Sequence, residues 1–98
     1  MTKQEFESRT SKPIVCGYAF MYIHSDGSTW YHHKGWSTRS GMFPALLMTS
    51  ELYKRKGNAR RFAMQYQKDN PELTVKAIIR VMFDYDIQKR YFVVDEYI

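Results

Sequence analysis

A single cysteine and the absence of any long apolar run exclude two classes of protein at the outset. Cys16 is the only cysteine in 98 residues, so no disulfide can form within the chain. It lies in an apolar run, residues 14–18, which is typical of a buried, inert thiol rather than a nucleophile. No window approaches the ~20 apolar residues of a membrane span, and the first residues lack a signal peptide's apolar stretch. We therefore expect a cytoplasmic protein without a membrane partner.

Catalytic and metal-binding signatures are also missing. A nucleophile needs a neighbouring base and an orienting group, but the candidate side chains are scattered along the chain. The adjacent His32 and His33 point to opposite faces of a strand and cannot both ligate one metal without distortion. The Lys-Gly-Asn segment, residues 56–58, lacks the full spacing of a nucleotide-binding loop. The sequence predicts no enzyme activity, no metal site and no cofactor.

The chain does have the composition of a folded domain. Hydrophobic residues make up 44% and aromatic residues 16% of it, which argues against disorder, and its length suits one domain. Residues 1–12 are polar and predict a flexible or short helical arm. Residues 13–98 predict a single α+β domain.

The first half of this domain predicts a β-hairpin. Residues 14–23 are β-branched and aromatic, and residues 29–34 return as a second strand. The Asp26-Gly27 pair suits a two-residue turn, which would place Ile23 opposite Trp30. Residues 35–41 have the composition of a loop. Residues 42–48 are apolar but contain a proline, and either a short edge strand or an apolar loop fits them.

A helix follows, and its start has two interpretations. It ends near Asn70, because Pro71 disfavours helical geometry at the residue before it. A start at Ser50 would put Gly57 inside the helix and a cation on its apolar face. We prefer Asn58 as the N-cap, which leaves Gly57 in the approach loop. Gly57→Ala separates the two: it should weaken a loop that requires glycine, but stabilise a helix that contains it.

Two further strands complete the predicted fold. Residues 73–85 alternate over an unusual length, and residues 90–96 follow a polar turn. The predicted order is ββαββ, with one main helix packed on one face of a mostly antiparallel sheet.

The strongest functional signal is a cluster of positive charge. Residues 54–61 carry five of the 15 basic residues and no acidic one; without them, ten basic residues balance ten acidic ones. A helix start exposes unpaired backbone N–H groups, so an anion such as a nucleic-acid phosphate is stabilised there. The alternative is that these cations only solvate the helix. The candidate binding residues are Lys54, Arg55, Lys56, Gly57, Asn58, Arg60 and Arg61.

A second signal is an aromatic stretch in the hairpin. Strand alternation puts Trp30, His32 and Lys34 on one face, and Trp36 follows two residues later. Aromatic rings beside cations can stack bases and pair phosphates. We therefore add Trp30, His32 and Trp36 as candidate stacking residues, against the alternative that they pack in the core or across strands.

The basic segment followed by an alternating strand, residues 50–83, resembles small accessory proteins of tailed bacteriophages. The resemblance implies a host-takeover or anti-defence binder, or a small DNA-associated protein, acting in the host cytoplasm. It assigns no role to any residue.

Two functions are expected from these signals. The first is a non-enzymatic module that contacts nucleic-acid phosphates through the basic patch at the helix start. With about five phosphate contacts, its affinity for single strands would fall with salt at a log–log slope near −3.5. The second is an inhibitor or adaptor that binds an acidic or nucleic-acid-binding host protein, with strand 90–96 as a further docking edge. Homo-oligomerisation is left open.

Overall fold

The fold was obtained as a computed structural model, which describes residues 13–34, 36–39 and 51–98. The arm predicted over residues 1–12 and the apolar segment 42–48 lie outside the described residues. The described part is an α+β fold in which one helix packs on an antiparallel sheet of five strands.

The strands and the helix follow an order that differs from the prediction by one strand. The elements are β1 (Ile14–Ile23), β2 (Thr29–His33), β3 (Trp36–Arg39), α1 (Lys56–Asp69), β4 (Thr74–Asp84) and β5 (Lys89–Tyr97). The sheet order is β3-β2-β1-β4-β5, with every neighbouring pair antiparallel. The α+β class is confirmed, but the predicted order ββαββ is wrong because β3 precedes the helix.

The missed strand, β3, was predicted as a loop because of its serine and threonine content. Its backbone pairs with β2, with His32 opposite Ser37 and His33 opposite Trp36. Polar side chains also join the two strands, since the Ser37 hydroxyl lies 2.8 Å from His32 Nδ1. Strand pairing here rests on backbone and polar contacts, which hydrophobic alternation does not reveal.

The β1–β2 hairpin is present, but its register is one residue from the predicted one. Ile23 lies opposite Thr29 rather than Trp30. The connection is longer than two residues: the His24 N–H donates to the Ser28 carbonyl at 2.9 Å, and Asp26 Oδ1 accepts from the Ser28 N–H at 2.8 Å. The aspartate side chain thus stabilises a wider turn.

Helix α1 begins before the predicted N-cap and ends where expected. Arg55 is the N-cap, and the Asn58 N–H already donates to the Arg55 carbonyl at 3.1 Å. Asn58 is therefore a first-turn residue, and both proposed starts, Ser50 and Asn58, are wrong. At the other end, Asn70 caps the helix and its N–H donates to the Tyr66 carbonyl at 3.0 Å.

Gly57 lies inside the first turn of α1, so its replacement by alanine is expected to stabilise the fold. A Cβ at this position would meet nothing within 4 Å. Gly57→Ala should raise the free energy of unfolding by about 0.5 kcal/mol, because alanine loses less backbone entropy. A thermal melt measures this. Gly27→Ala is the control: that site is equally open, but its φ of 87° disfavours alanine, so the midpoint should fall. A midpoint for Gly57→Ala at or below wild type would contradict the helical assignment.

The sheet has a buried cluster on each face. On the helix side, Ala59 and Ala63 of α1 are fully buried and their small size lets the helix approach the sheet closely. The buried residues of this cluster are Phe20, Tyr22, Tyr53, Ala59, Ala63, Leu73, Val75 and Ile78. The second cluster is formed by Ala19, Tyr31, Ile79 and Val81.

A short extended segment, residues 51–53, connects the sheet to the helix start. Tyr53 exchanges two backbone hydrogen bonds with Tyr18 of β1, at 2.7 and 2.9 Å, and the Glu51 carbonyl accepts from the Lys34 N–H at 3.1 Å. These bonds hold Tyr53 and Lys54 beside the end of β2. The segment thereby positions residues from three parts of the chain around one site.

Candidate nucleic-acid interface

Two of the five cations in the basic segment are ion-paired with the C-terminal strand. Lys56 Nζ lies 2.8 Å from Asp95 Oδ2 and 3.2 Å from Glu96 Oε2. Arg60 Nη1 lies 3.3 Å from Glu96 Oε1. Arg80 of β4 joins the network at 3.5 Å from Asp95 Oδ1. The carboxylates hydrogen-bond the Lys56 ammonium, Asp95 more strongly than Glu96, and raise its pKa.

These pairs change the interpretation of the helix start. The first turn of α1 carries no acidic residue, which leaves its dipole and its cations uncompensated within the helix. Asp95 and Glu96 of β5 supply that negative charge from across the fold. The prediction that Lys56 and Arg60 await an external anion is therefore weakened, because the chain's own carboxylates already contact them.

The remaining three cations are exposed. Within the part of the chain that the structure describes, Lys54, Arg55 and Arg61 form no ion pair. The Arg61 guanidinium lies 5.5 Å from the centre of the Phe62 ring, within cation–π range. These three side chains keep their charge available to a partner.

A pocket of about 440 Å³ opens between the end of β2 and the start of α1. It is lined by His32, Lys34, Tyr53, Lys54, Asn58 and Phe62. Three predicted site residues, His32, Lys54 and Asn58, thus meet in one place, although they lie on different elements. Its size falls in the range of about 300–1,000 Å³ that small-molecule sites occupy.

The aromatic residues of the pocket belong to a stack of nearly parallel rings. The Phe62 and Tyr53 centroids lie 5.0 Å apart at an interplanar angle of 18°. The stack continues from Tyr53 to His32 at 6.5 Å and 21°, and from His32 to Phe20 at 4.7 Å and 23°. Phe20 is fully buried, whereas Phe62 is 46% exposed. The stack therefore runs from the core to the surface and ends on an accessible ring.

His32 is neutral at physiological pH. Burial among the rings of Phe20, Tyr53 and Tyr66, and to a smaller extent the charge of His33, lowers its pKa to about 4. A neutral imidazole adds no positive charge between Lys34 and Lys54, and it can donate or accept a hydrogen bond.

Trp30, a predicted stacking residue, does not line this pocket. Trp30 packs against the helix-side cluster, and its Nε1–H donates to the Ser28 hydroxyl at 2.8 Å. The Arg39 guanidinium lies 5.7 Å from its ring centre. Trp30 is thus a packing residue at the hairpin tip, the alternative that the sequence left open. The stacking role predicted for Trp36 lies outside the described side chains.

Sequence reasoning missed Lys34, Tyr53 and Phe62 as site residues. Phe62 follows the basic run directly in the sequence. Lys34 and Tyr53 meet only because residues 51–53 pair with β1. The sequence contained a signal for Phe62, as an aromatic residue adjoining Arg61, and for Lys34, which strand alternation places on the same face as His32.

Residues 13–34, 36–39 and 51–98 contain no group of three or more His, Cys, Asp or Glu side chains able to hold a metal ion. None of their helices has the length and apolar character required to cross a bilayer. Comparison of the chain with protein-family models, with curated proteins and with solved structures finds no match.

Proposed function

We propose that the protein is a non-enzymatic, cytoplasmic module that binds the phosphates of a nucleic acid through the cations around the helix start. The observation that carries this proposal is that Lys34 and Lys54 line one pocket together with the rings of His32, Tyr53 and Phe62. Arg55, the N-cap residue, and Arg61 add two further exposed cations near the start of α1. Cations interleaved with accessible rings are the arrangement that nucleic-acid binders use.

The ion pairs define how many phosphates the surface can contact. With Lys56 and Arg60 held by Asp95 and Glu96, the available cations are Lys34, Lys54, Arg55 and Arg61. Four contacts predict a log–log salt slope of about −3 on single strands, shallower than five contacts from the basic segment alone would produce. The salt dependence therefore reports the tertiary structure and not only the composition.

Two pairs of charge-matched variants test the proposal by fluorescence anisotropy with a labelled oligonucleotide across salt. Lys54→Gln should make the slope shallower by about 0.7, whereas Lys68→Gln, the same charge change near the end of α1, should leave it unchanged. Glu96→Gln should make it steeper by up to about 0.7 per released cation, whereas Glu72→Gln should not. Binding that is absent at low salt, or that responds equally within each pair, would refute the proposal.

A second candidate function rests on the position of β5. This strand forms an edge of the described sheet, and Tyr91, Val94 and Tyr97 along it are exposed. Such an edge can accept a strand from a partner, as an inhibitor or adaptor of a host protein would do. This also fits the resemblance to phage accessory proteins. We rank it second because the bulge opposite Ile78–Ile79 and the ion-paired Asp95 are features that disfavour strand addition.

Nuclease treatment separates the two candidates. Proteins captured from nuclease-treated lysate by the wild type, but not by a Tyr91→Lys, Val94→Lys variant, would support the adaptor function. Capture that disappears with the nucleic acid would support the first proposal.

A further inference from the structure

The pocket contains more than phosphate binding requires. Phosphate contacts need cations and backbone donors, yet this pocket also presents the accessible Phe62 ring and, behind it, the rings of Tyr53 and His32. Phe62 is 46% exposed although it lies on a helix whose alanines are fully buried. Its stacking on Tyr53 at 5.0 Å holds it in place at the surface. Tyr53 covers one face of this ring and the exposed Arg61 guanidinium lies 5.5 Å from its centre, so a flat apolar group can stack on the ring by displacing the arginine.

Polar groups surround the rings on the pocket wall. The Asn58 side chain is exposed in the first turn of α1 and has no hydrogen-bond partner among the described residues. The amide has both donors and an acceptor, and the neutral His32 ring adds a hydrogen-bonding nitrogen. Together they can hydrogen-bond the edge of a planar heterocycle. Lys34 and Lys54 lie at the same pocket and can neutralise an anionic group attached to it.

A nucleotide joins a planar heterocycle to phosphate and so matches both features of the pocket. We propose that this pocket seats one unpaired base of a single-stranded nucleic acid, with the flanking phosphates on Lys34 and Lys54. The inference rests on the proposed function and names its substrate class. A base within a duplex is covered on both faces by its neighbours and cannot enter a pocket, whereas the bases of single strands can be splayed out.

Phe62 is the residue whose replacement tests this inference. Phe62→Ala should weaken binding of a single-stranded oligonucleotide of about 12 nucleotides roughly tenfold, because one stacking surface is lost. Binding to the duplex of the same sequence should be weaker in the wild type and unchanged by the substitution. Phe62→Tyr keeps the ring and should retain single-strand affinity. Tyr97→Ala, which removes an aromatic residue 75% exposed on β5, is the matched control and should change neither affinity.

The outcomes separate this inference from the function on which it rests. Equal affinity for both substrates, or an equal effect of Phe62→Ala on both, would overturn the base pocket while leaving salt-dependent phosphate binding intact. Absence of wild-type binding to either oligonucleotide would overturn both the base pocket and the proposed function. A mononucleotide that competes at the same concentration as the oligonucleotide would overturn the single-strand assignment in favour of a free nucleotide. A thermal melt of Phe62→Ala accompanies each titration, and Phe62→Leu, which keeps apolar bulk without a ring, replaces it if the alanine variant unfolds.

Discussion

Gly17→Ala is expected to lower the free energy of unfolding by about 2–3 kcal/mol and to abolish the pocket. A Cβ at Gly17 would lie 2.6 Å from the Cβ of Leu52 and 2.9 Å from the Tyr53 carbonyl oxygen. Neither atom is the end of a flexible side chain, and the carbonyl is hydrogen-bonded to the Tyr18 N–H. The segment 51–53 would have to move away from β1, and Tyr53 would move with it. Chemical denaturation measures the stability, and anisotropy measures the accompanying loss of binding.

A second substitution separates this clash from other causes. Leu52→Gly removes the atom that approaches the new Cβ most closely. In a double-mutant cycle, the Gly17→Ala, Leu52→Gly protein should be more stable than the sum of the two single effects predicts. Additive losses would show that the close approach at Gly17 is not what requires glycine there.

Acid is expected to destabilise the protein between about pH 6.5 and pH 4 through His32. Its folded pKa of about 4 lies below the ordinary value of 6.5, because burial disfavours the charged ring. The unfolded chain therefore binds the proton more readily than the folded one within this window. The contribution is complete above pH 6.5 and is lost as the pH falls towards 4. After allowance for solvent screening it amounts to roughly 2 kcal/mol.

The surroundings of His32 define the control for this prediction. Tyr53, Tyr66, Lys34 and Lys54 lie around the ring or line the same pocket. His32→Phe keeps a stacking ring and should remove the His32 share of the stability change between pH 6.5 and 4, while buried His33, whose pKa is also lowered, continues to contribute. His24→Gln, at the hairpin tip, removes a histidine elsewhere and should leave the change in place. Urea melts at several pH values measure the loss of stability in acid. An unchanged pH profile in His32→Phe would rule out His32 as the origin of that loss.

Local patterns predicted four of the five described strands and the end of the helix, but neither β3 nor the register of the hairpin. The β1–β2 hairpin, β4, β5 and the Asn70 terminus of α1 all follow from residue type and spacing along the chain. The predicted hairpin register was wrong because the Asp26 side chain accepts a hydrogen bond from the Ser28 backbone and stabilises a wider turn than the Asp-Gly pair alone suggests. Simple alternation along β4 would place Val75 and Ile78 on opposite faces of the sheet. The pairing of β4 with β1 is irregular between Met21 and Tyr22, and Val75 and Ile78 therefore lie in the same buried cluster.

The sequence predicted that the candidate site is positively charged, but not which residues form it. The positive charge of the basic segment is a property of the sequence, and it remains at Lys54, Arg55 and Arg61. Whether a given cation is available depends on residues distant in the chain, since Asp95 and Glu96 reach Lys56 and Arg60 only after β5 has paired with β4. Lys56 and Arg60 are less available than predicted for that reason.

Composition alone determines the excess of positive charge and favours a folded chain. Residue type and short-range periodicity indicate the α+β class, because helices and strands depend on neighbours within a few positions. The pocket, its ring stack and the ion pairs depend on long-range pairing. Residues 51–53 must cross Gly17 before Lys34, Tyr53 and Phe62 can meet, and no local pattern contains that contact. The free energy that brings them together comes from burial and backbone hydrogen bonds between elements far apart in the chain.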